Sequence, residues 1–192
     1  MRFRKATAFL AVSLLAAGLS SAKDSPDEER GKIRKMASQT LTDLYKLQPG
    51  AQGAIQQSAG YAVFSNLGIN LLLLSTARGG GLAVNSKTRQ ETFMKMLSVG
   101  AGFGAGVKDS RVIFVFETDG ALANFVNSGW DASGQADAAA KTSNAGGAYS
   151  GATSVSPGVW VYQITKKGLA LQATLQGTKY SKDDDLNKPG KG

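Results

Sequence analysis

The side chains that most often carry catalysis are absent or isolated in this chain. Its 192 residues include no His and no Cys, which excludes Ser-His-Asp and Cys-His catalysis, His or thiolate metal sites, and disulfides. Asp131 and Asp137 lie near Trp130, but their spacing defines no acid–base pair. The sequence therefore predicts a protein that is not an enzyme and has no cofactor or bound metal. A hydrolase that uses Asp131 or Asp137 is the least favoured alternative.

A glycine at every second position marks residues 100–106, which read GAGFGAG. Gly100, Gly102 and Ala105 have the spacing of a dinucleotide-binding turn, but a predicted strand follows where that turn requires a helix. Successive side chains of a strand point to opposite faces, so alternate glycines leave one face bare. The pattern predicts either close packing of another element or a slot for a lipid chain. The slot residues are Gly100, Gly102, Gly104 and Gly106.

Two other patterns are weak signals for ligands. Residues 79–81 are three glycines after Arg78 and could form a phosphate-binding nest, but no Lys-Ser/Thr of a P-loop follows. We expect a turn there. Residues 183–185 are three aspartates without the spacing of a calcium loop, and we expect a solvated run of charge.

The positive charges suit an anionic surface. Lys and Arg outnumber Asp and Glu by 22 to 14, which gives a net charge of +8. The cations are scattered and lack an interleaved aromatic platform, which argues against nucleic acid as a partner. Anionic phospholipid is the more natural partner. The candidate head-group ligands are Lys32, Arg34, Lys35 and Lys46 on a predicted helix, and Arg78, Lys108 and Arg111 near predicted turns.

Residues 1–22 have the pattern of a signal peptide. Arg2, Arg4 and Lys5 precede an apolar stretch over 6–19, and small residues at 20–22 would permit cleavage. A helix of that stretch would be about 21 Å long, short of the ~30 Å hydrocarbon core. Cleavage would remove three positive charges and lower the net charge from +8 to +5. The sequence thus predicts an exported protein, periplasmic or peripheral to the outer membrane.

Hydrophobic periodicity predicts the elements that must position these residues. A flexible segment over 23–30 leads into a helix with an apolar stripe from Ile33 to Tyr45, and its opposite side is basic. That helix could either cover a core or lie on a membrane surface. A short helix is predicted over 51–58, and another follows a cap at Asp119.

Short apolar or alternating runs separated by glycine and polar residues predict strands from Tyr61 onward, ending in a hairpin around 166–168. The expected fold class is α+β: a glycine-rich, curved, mainly antiparallel sheet or partial barrel, with an N-terminal helix and one or two short helices packed on it. The single domain is expected over 31–180, followed by a flexible tail over 181–192.

Several separated motifs resemble the SYLF domain family, also called the Ysc84 actin-binding domain family. They are TFMKMLSVGAGFGAGVKDSRVIFVF at 92–116, FVNSGW at 125–130 with QADAAAK at 135–141, and VYQITKKGLALQATLQGTKY at 161–180. The last is similar to the bacterial, secreted branch. The chain departs from the eukaryotic pattern at 124–140, which lacks a Gly-Pro-x-Gly segment, so any ligand contact made by that segment does not carry over.

The resemblance implies a lipid-binding module, and an exported protein would not normally meet the actin bound by some eukaryotic members. Together with the charge, it predicts a non-catalytic phospholipid-binding protein of the cell envelope. The alternative is a structural or protein-interaction module of the envelope without lipid binding.

Overall fold

The computed structural model describes residues 25–65, 67–71, 74–99, 110–132, 149–165, 167–170 and 177–188. The helices are α1 (Pro26–Leu47), α2 (Gly50–Gln57) and α3 (Asp119–Ser128). The strands are β1 (Gly60–Ser65), β2 (Leu67–Leu71), β3 (Leu74–Asn85), β4 (Glu91–Val99), β5 (Arg111–Phe116), β6 (Trp130–Asp131), β7 (Thr153–Ser156), β8 (Val159–Thr165), β9 (Gly168–Ala170) and β10 (Thr178–Lys182). Within these ranges, no helix has both the length and the apolar composition needed to cross a bilayer.

The strands form one antiparallel sheet that curls into a half-barrel. Its order is β6-β10-β4-β3-β1-β5-β8-β7, with β2 added to β3 and β9 added to β8. The predicted α+β class and curved antiparallel sheet are confirmed. The predicted hairpin around 166–168 is also present, as β8 and β9.

Both faces of the sheet are buried, and alternate residues of a strand serve different cores. On β1, Ala62 and Phe64 join one cluster while Val63 joins the other. We call the face with Phe64 the inner face and the face with Val63 the outer face. α3 covers the inner face, and α1 and α2 cover the outer face.

The inner face is packed with aromatic rings. Phe114 has its ring centroid 4.9 Å from that of Phe125 and 4.9 Å from that of Tyr180. The Thr118 hydroxyl caps α3 by accepting from the Ala121 amide at 3.1 Å. The cap predicted at Asp119 is therefore wrong, since Asp119 is the first helical residue. Thr118 is extended and can place its oxygen over the first turn.

The outer face receives the apolar stripe of α1. Ile33, Ala37 and Leu44 are buried there at steps of four and seven residues, as the periodicity predicts. α2, close to the predicted 51–58, adds Ala51 and Ile55 to the same core. The interpretation of α1 as a helix that covers a core is correct for this stripe.

The N-terminal segment predicted as flexible over 23–30 is helical from Pro26. The Ser25 hydroxyl accepts from the Glu28 amide at 3.3 Å, while the Glu28 carboxylate accepts from the Ser25 amide at 2.8 Å. This capping box satisfies amides that have no partner within the helix. The first helix therefore begins at Pro26, before residue 31.

The glycines at 79–81 lie inside β3 and form neither a turn nor a phosphate nest. A side chain at Gly79 would meet the carbonyl oxygen of Ser65, and one at Gly81 would meet the ring of Phe64. Glycine is needed here because β1 approaches β3 too closely for a Cβ atom. The prediction of a turn at this position is wrong.

The predicted tail over 181–192 begins inside β10, and its first part is packed. Asp183 Oδ1 accepts from the amides of Asp185 and Leu186 at 3.0 and 3.1 Å. The Asn187 side-chain amide donates to the Phe93 carbonyl at 2.7 Å. Residues 183–188 are therefore a turn held against β4, and the expected solvated run of aspartates contains a backbone cap. Residues 189–192 lie outside the described ranges.

Candidate membrane-binding surface

Three lysines of α1 share one exposed side of the helix. Lys32, Lys35 and Lys46 are separated by three and eleven residues, which places them on one side at 3.6 residues per turn. This lysine stripe is about 21 Å long at ~1.5 Å per residue. The apolar stripe on the opposite side of α1 is buried against the sheet. The lysine stripe is therefore presented outward by a docked helix.

Arg34, a predicted head-group ligand, points away from the lysine stripe toward β4. Its Nε atom donates to Glu91 Oε2 at 2.8 Å. Its guanidinium lies 5.1 Å from the ring centroid of Phe93, within the range of a cation–π contact. Arg34 thus fastens α1 to β4, and its charge is balanced by that of Glu91.

Arg111, a second predicted ligand, fastens the other half of α1. Its Nη1 atom donates to Asp43 Oδ2 at 2.8 Å, and both side chains are about one-third exposed, at 35% and 36%. The pair joins the start of β5 to α1. The structure therefore places Lys32, Lys35 and Lys46 on one exposed side of α1 and uses Arg34 and Arg111 to join α1 to β4 and β5.

Arg30 links α1 to the C-terminal turn, and the sequence analysis did not single it out. It is buried, and its Nε and Nη2 atoms donate to the carbonyls of Leu186 and Lys188 at 2.8 and 2.6 Å. Nη1 pairs with Asp27 at 2.6 Å. The available signal was its spacing, because Arg30 lies three residues before Ile33 and so falls within the buried stripe.

The remaining predicted ligands have different outcomes. Arg78 lies in β3, where its Cα position is opposite Leu97 of β4. Lys108 and the glycines of the predicted slot lie outside the described residues, so the slot stays a prediction. Asp131 is exposed on β6, and Asp137 lies outside the described ranges. No group of metal-ligating side chains occurs among the residues that were described.

Among the charged side chains on and around α1, the lysine stripe is the main positive feature. Asp27, Asp43 and Glu91 each pair with an arginine. The phenols of Tyr45 and Tyr61 add no charge, since their ordinary pKa of 10.0 lies above physiological pH and burial raises the pKa of both further. The carboxylate of Glu28 serves the capping box. The outward side of α1 beyond its first turn therefore carries the three lysines of the stripe.

Comparisons with known proteins agree with the motifs of the sequence. Residues 97–189 match the family model described as "Ysc84: Las17-binding protein actin regulator". Beta cell expansion factor A of Aeromonas veronii is 36% identical over 163 residues, which are 84% of this chain and 60% of that protein. The chain thus spans less than two thirds of the length of this relative. Residues 97–189 are thus similar to the Ysc84, or SYLF, domain family.

The match to the family model narrows the class of function. SYLF domains bind lipids and actin in other proteins, and the family is generally non-enzymatic. The match therefore supports a lipid-binding or actin-related module at most. The matched range begins at Leu97 in β4 and includes α3 and strands β5 to β10. It does not include α1, which carries the lysine stripe.

Proposed function

We propose that this protein is a non-catalytic, peripheral phospholipid-binding protein of the cell envelope, exported after removal of residues 1–22. The observation that carries the proposal is the lysine stripe, which a docked α1 presents on the side opposite its buried apolar stripe. The partner is an anionic bilayer surface, recognised by Lys32, Lys35 and Lys46.

The geometry favours electrostatic attachment of α1 without insertion of this helix. Each lysine near an anionic bilayer contributes about 1 kcal/mol, so three contribute about 3 kcal/mol. That corresponds to roughly a hundredfold in affinity, screened over about 8 Å at physiological salt. Inserting the apolar side of α1 would instead require Ile33 and Leu44 to leave the outer core, which costs about 2 kcal/mol or more for each.

The test is co-sedimentation of residues 23–192, which contain the whole described fold, with vesicles. Neutral phosphatidylcholine vesicles are compared with vesicles containing phosphatidylglycerol, at low and high salt. We expect binding to the anionic vesicles at low salt. Replacing Lys32, Lys35 and Lys46 together by Ser should weaken it by about a hundredfold.

A matched control removes the same charge elsewhere. Lys87→Ser, Arg89→Asn and Lys182→Ser change three exposed cations outside α1, and this variant should retain most of the binding. Equal losses in the two triple variants would show that net charge, and not the lysine stripe, drives attachment. Absence of wild-type binding to either vesicle would reject the proposal in favour of a protein-interaction module.

A further inference from the structure

Two segments that meet in the fold carry no charged residue. Neither residues 47–65 nor residues 149–165 contain Asp, Glu, Lys or Arg, although 19% of the chain is charged. The structure brings them together, since a Cβ atom at Gly151 would lie 3.6 Å from the side chain of Gln48. Both segments also contribute to the outer core, through α2 and Ala152. Their exposed residues therefore form one uncharged surface above this core, which we call the neutral surface.

The polar residues of the neutral surface can pair with copies of themselves. Gln52, Gln56 and Gln57 are exposed on α2, and a glutamine amide both donates and accepts hydrogen bonds. Gln52 and Gln56 are four residues apart and therefore share one side of the helix. An interface about a two-fold axis places each patch against an identical patch. Glutamines satisfy this requirement, whereas a row of lysines would meet like charges.

Apolar side chains flank the glutamines. Leu47, next to Gln48, is 45% exposed, one of two exposed large apolar side chains among the residues described. The rings of Tyr149 and Trp160 stack with their centroids 4.8 Å apart, and both side chains are half-buried. Protein interfaces are enriched in aromatic side chains and depleted of charge at their centre. The neutral surface has both properties.

Charged side chains stand at the border of the neutral surface. Lys46 precedes Leu47 but lies about 100° around the helix from it, on the lysine stripe. The carboxylate of Glu117 accepts from Trp160 Nε1 at 2.9 Å. A polar rim around an uncharged centre is the usual arrangement of a protein interface.

Gly53, in the middle of α2, is not required by the fold of a single chain. It does not have a positive φ, and a Cβ atom there would meet no atom of the described residues within 4 Å. Glycine is also a poor residue inside a helix. Because Gly53 lies three residues before Gln56, both lie on the same side of α2. The absence of a side chain there lets a second helix approach the backbone of α2 closely.

We infer that the neutral surface is the interface of a homodimer, in which α2 packs against α2 of a second copy about a two-fold axis with Gly53 at the crossing point. The net charge of +8 selects the contact surface, because two copies repel each other wherever their cations meet. The neutral surface lets them approach without such a meeting. An anionic bilayer, in contrast, finds its cations on the lysine stripe. The inference goes beyond the proposed function and does not rest on it.

Sedimentation velocity of residues 23–192 tests the homodimer, over a range of protein concentrations and at low and high salt. We expect a monomer–dimer equilibrium whose dissociation constant changes little with salt, since no charges face each other at the centre of the interface. Gly53→Leu should weaken dimerisation by about tenfold or more, because the new side chain fills the crossing point. The matched control is Gly31→Leu in α1, an exposed helical glycine where a Cβ atom also meets no described atom within 4 Å. This control should dimerise like the wild type.

The same two variants keep the test independent of folding. Leucine is a better helix former than glycine, and neither position has a close neighbour for the added Cβ atom among the described residues. Thermal unfolding followed by circular dichroism should therefore show a folded protein for both. A dimer in the Gly53→Leu variant that is as strong as in the wild type overturns the inference. A wild type that stays monomeric at every concentration overturns it as well.

A charge introduced on α2 tests the electrostatic argument. Gln56→Lys would place two like charges near the two-fold axis, so dimerisation should weaken several-fold at low salt and recover in part at high salt. Gln90→Lys, an equal change at an exposed position outside the neutral surface, should leave the dimer unchanged. Equal losses in the two variants would show that net charge governs association and would contradict this interface.

Vesicle binding separates the homodimer from the proposed function. A dimer that co-sediments with no vesicle rejects the proposed function and leaves the homodimer standing. Leu47→Ser removes the exposed leucine of the neutral surface, and Leu97→Ser removes one that is 40% exposed outside it. A monomeric wild type whose vesicle binding is lost in Leu47→Ser but retained in Leu97→Ser would assign the neutral surface to the bilayer and overturn the inference.

Discussion

The two faces of the sheet are buried by different means. On the inner face, the rings of Phe64, Phe114, Phe125 and Tyr180 lie with centroids 4.6–6.1 Å apart. On the outer face, α1 packs a mostly aliphatic stripe and is also fastened by Arg30, Arg34 and Arg111. The inner core depends on ring shape, whereas the outer core depends on a helix held at defined points.

The way in which α1 is held on the outer face also fixes the position of the lysine stripe. A helix fastened by arginine pairs along its length keeps a fixed orientation, so its exposed side is a stable surface for recognition. The same arginines are then unavailable as simple head-group ligands, since each already has a carboxylate or carbonyl partner. Under the proposed function, the arginines of this layer hold the scaffold and the lysines of α1 bind head groups.

Substitutions at two adjacent glycines of β3 test the comparison between the two faces with the largest expected effect. Gly81→Ala would drive a methyl group into the Phe64 ring and to 2.7 Å from the Val63 carbonyl oxygen. We expect a loss of about 3 kcal/mol in the free energy of unfolding, measured by urea titration. Gly80→Ala, the control, would place its methyl 3.1 Å from the flexible end of Ile33 on the outer face, and its effect should stay within about 1 kcal/mol. Equal losses of unfolding free energy in the two variants would contradict the interpretation that the inner core is packed more tightly than the outer core.

The fastening of α1 is tested at Arg30. Arg30→Met would leave the carbonyls of Leu186 and Lys188 without their donor, and we expect a loss of about 2 kcal/mol in the free energy of unfolding. Hydrogen exchange should accelerate at the amides of 183–188, while the near-UV signal of the inner aromatic cluster stays unchanged. Lys35→Met, an exposed change on the same helix, should alter stability by about 0.5 kcal/mol or less. Unchanged exchange at 183–188 would show that Arg30 does not hold this turn.

The smallest effect is expected at Tyr162 of the outer core. Tyr162 is buried, and its hydroxyl has no hydrogen-bond partner among the residues that the structure describes. Tyr162→Phe should therefore raise the free energy of unfolding at pH 7 by about 1 kcal/mol. A loss of stability would instead mean that the hydroxyl is bonded in solution.

The same residue predicts a dependence on alkaline pH. Burial raises the pKa of Tyr162 from 10.0 to about 12, so between these values the folded state holds a proton that the unfolded state has lost. Stability therefore falls as pH rises through this window, by about 1.4 kcal/mol per pH unit for this group. Urea titrations at pH 10 and 11 should show a shallower decline for Tyr162→Phe. Burial also raises the pKa of Tyr180, so part of the decline remains.

Much of the fold was predictable because its signals are local. The stripe of α1, the short α2 and the run of antiparallel strands follow from helical or alternating periodicity, which neighbouring residues impose. Where local signals compete, prediction failed: the glycines at 79–81 read as a turn, although β3 runs through them to accommodate β1. The capping box of Ser25 and Glu28 is also a local signal, and it starts α1 at Pro26.

For the candidate site, the sequence placed Lys32, Lys35 and Lys46 on the solvent side of one helix, because helical geometry depends only on spacing. It could not separate them from Arg34 and Arg111, whose partners Glu91 and Asp43 are distant in the chain.

What the sequence by itself determined is the set of elements, the amphipathic character of α1 and the positive charge, all of which depend on residue types and short-range spacing. Only the tertiary structure decided which cations fasten the scaffold and which face outward. Arg30 shows the physical reason: its carbonyl partners lie 156 and 158 residues away, and such contacts exist only after the chain has folded.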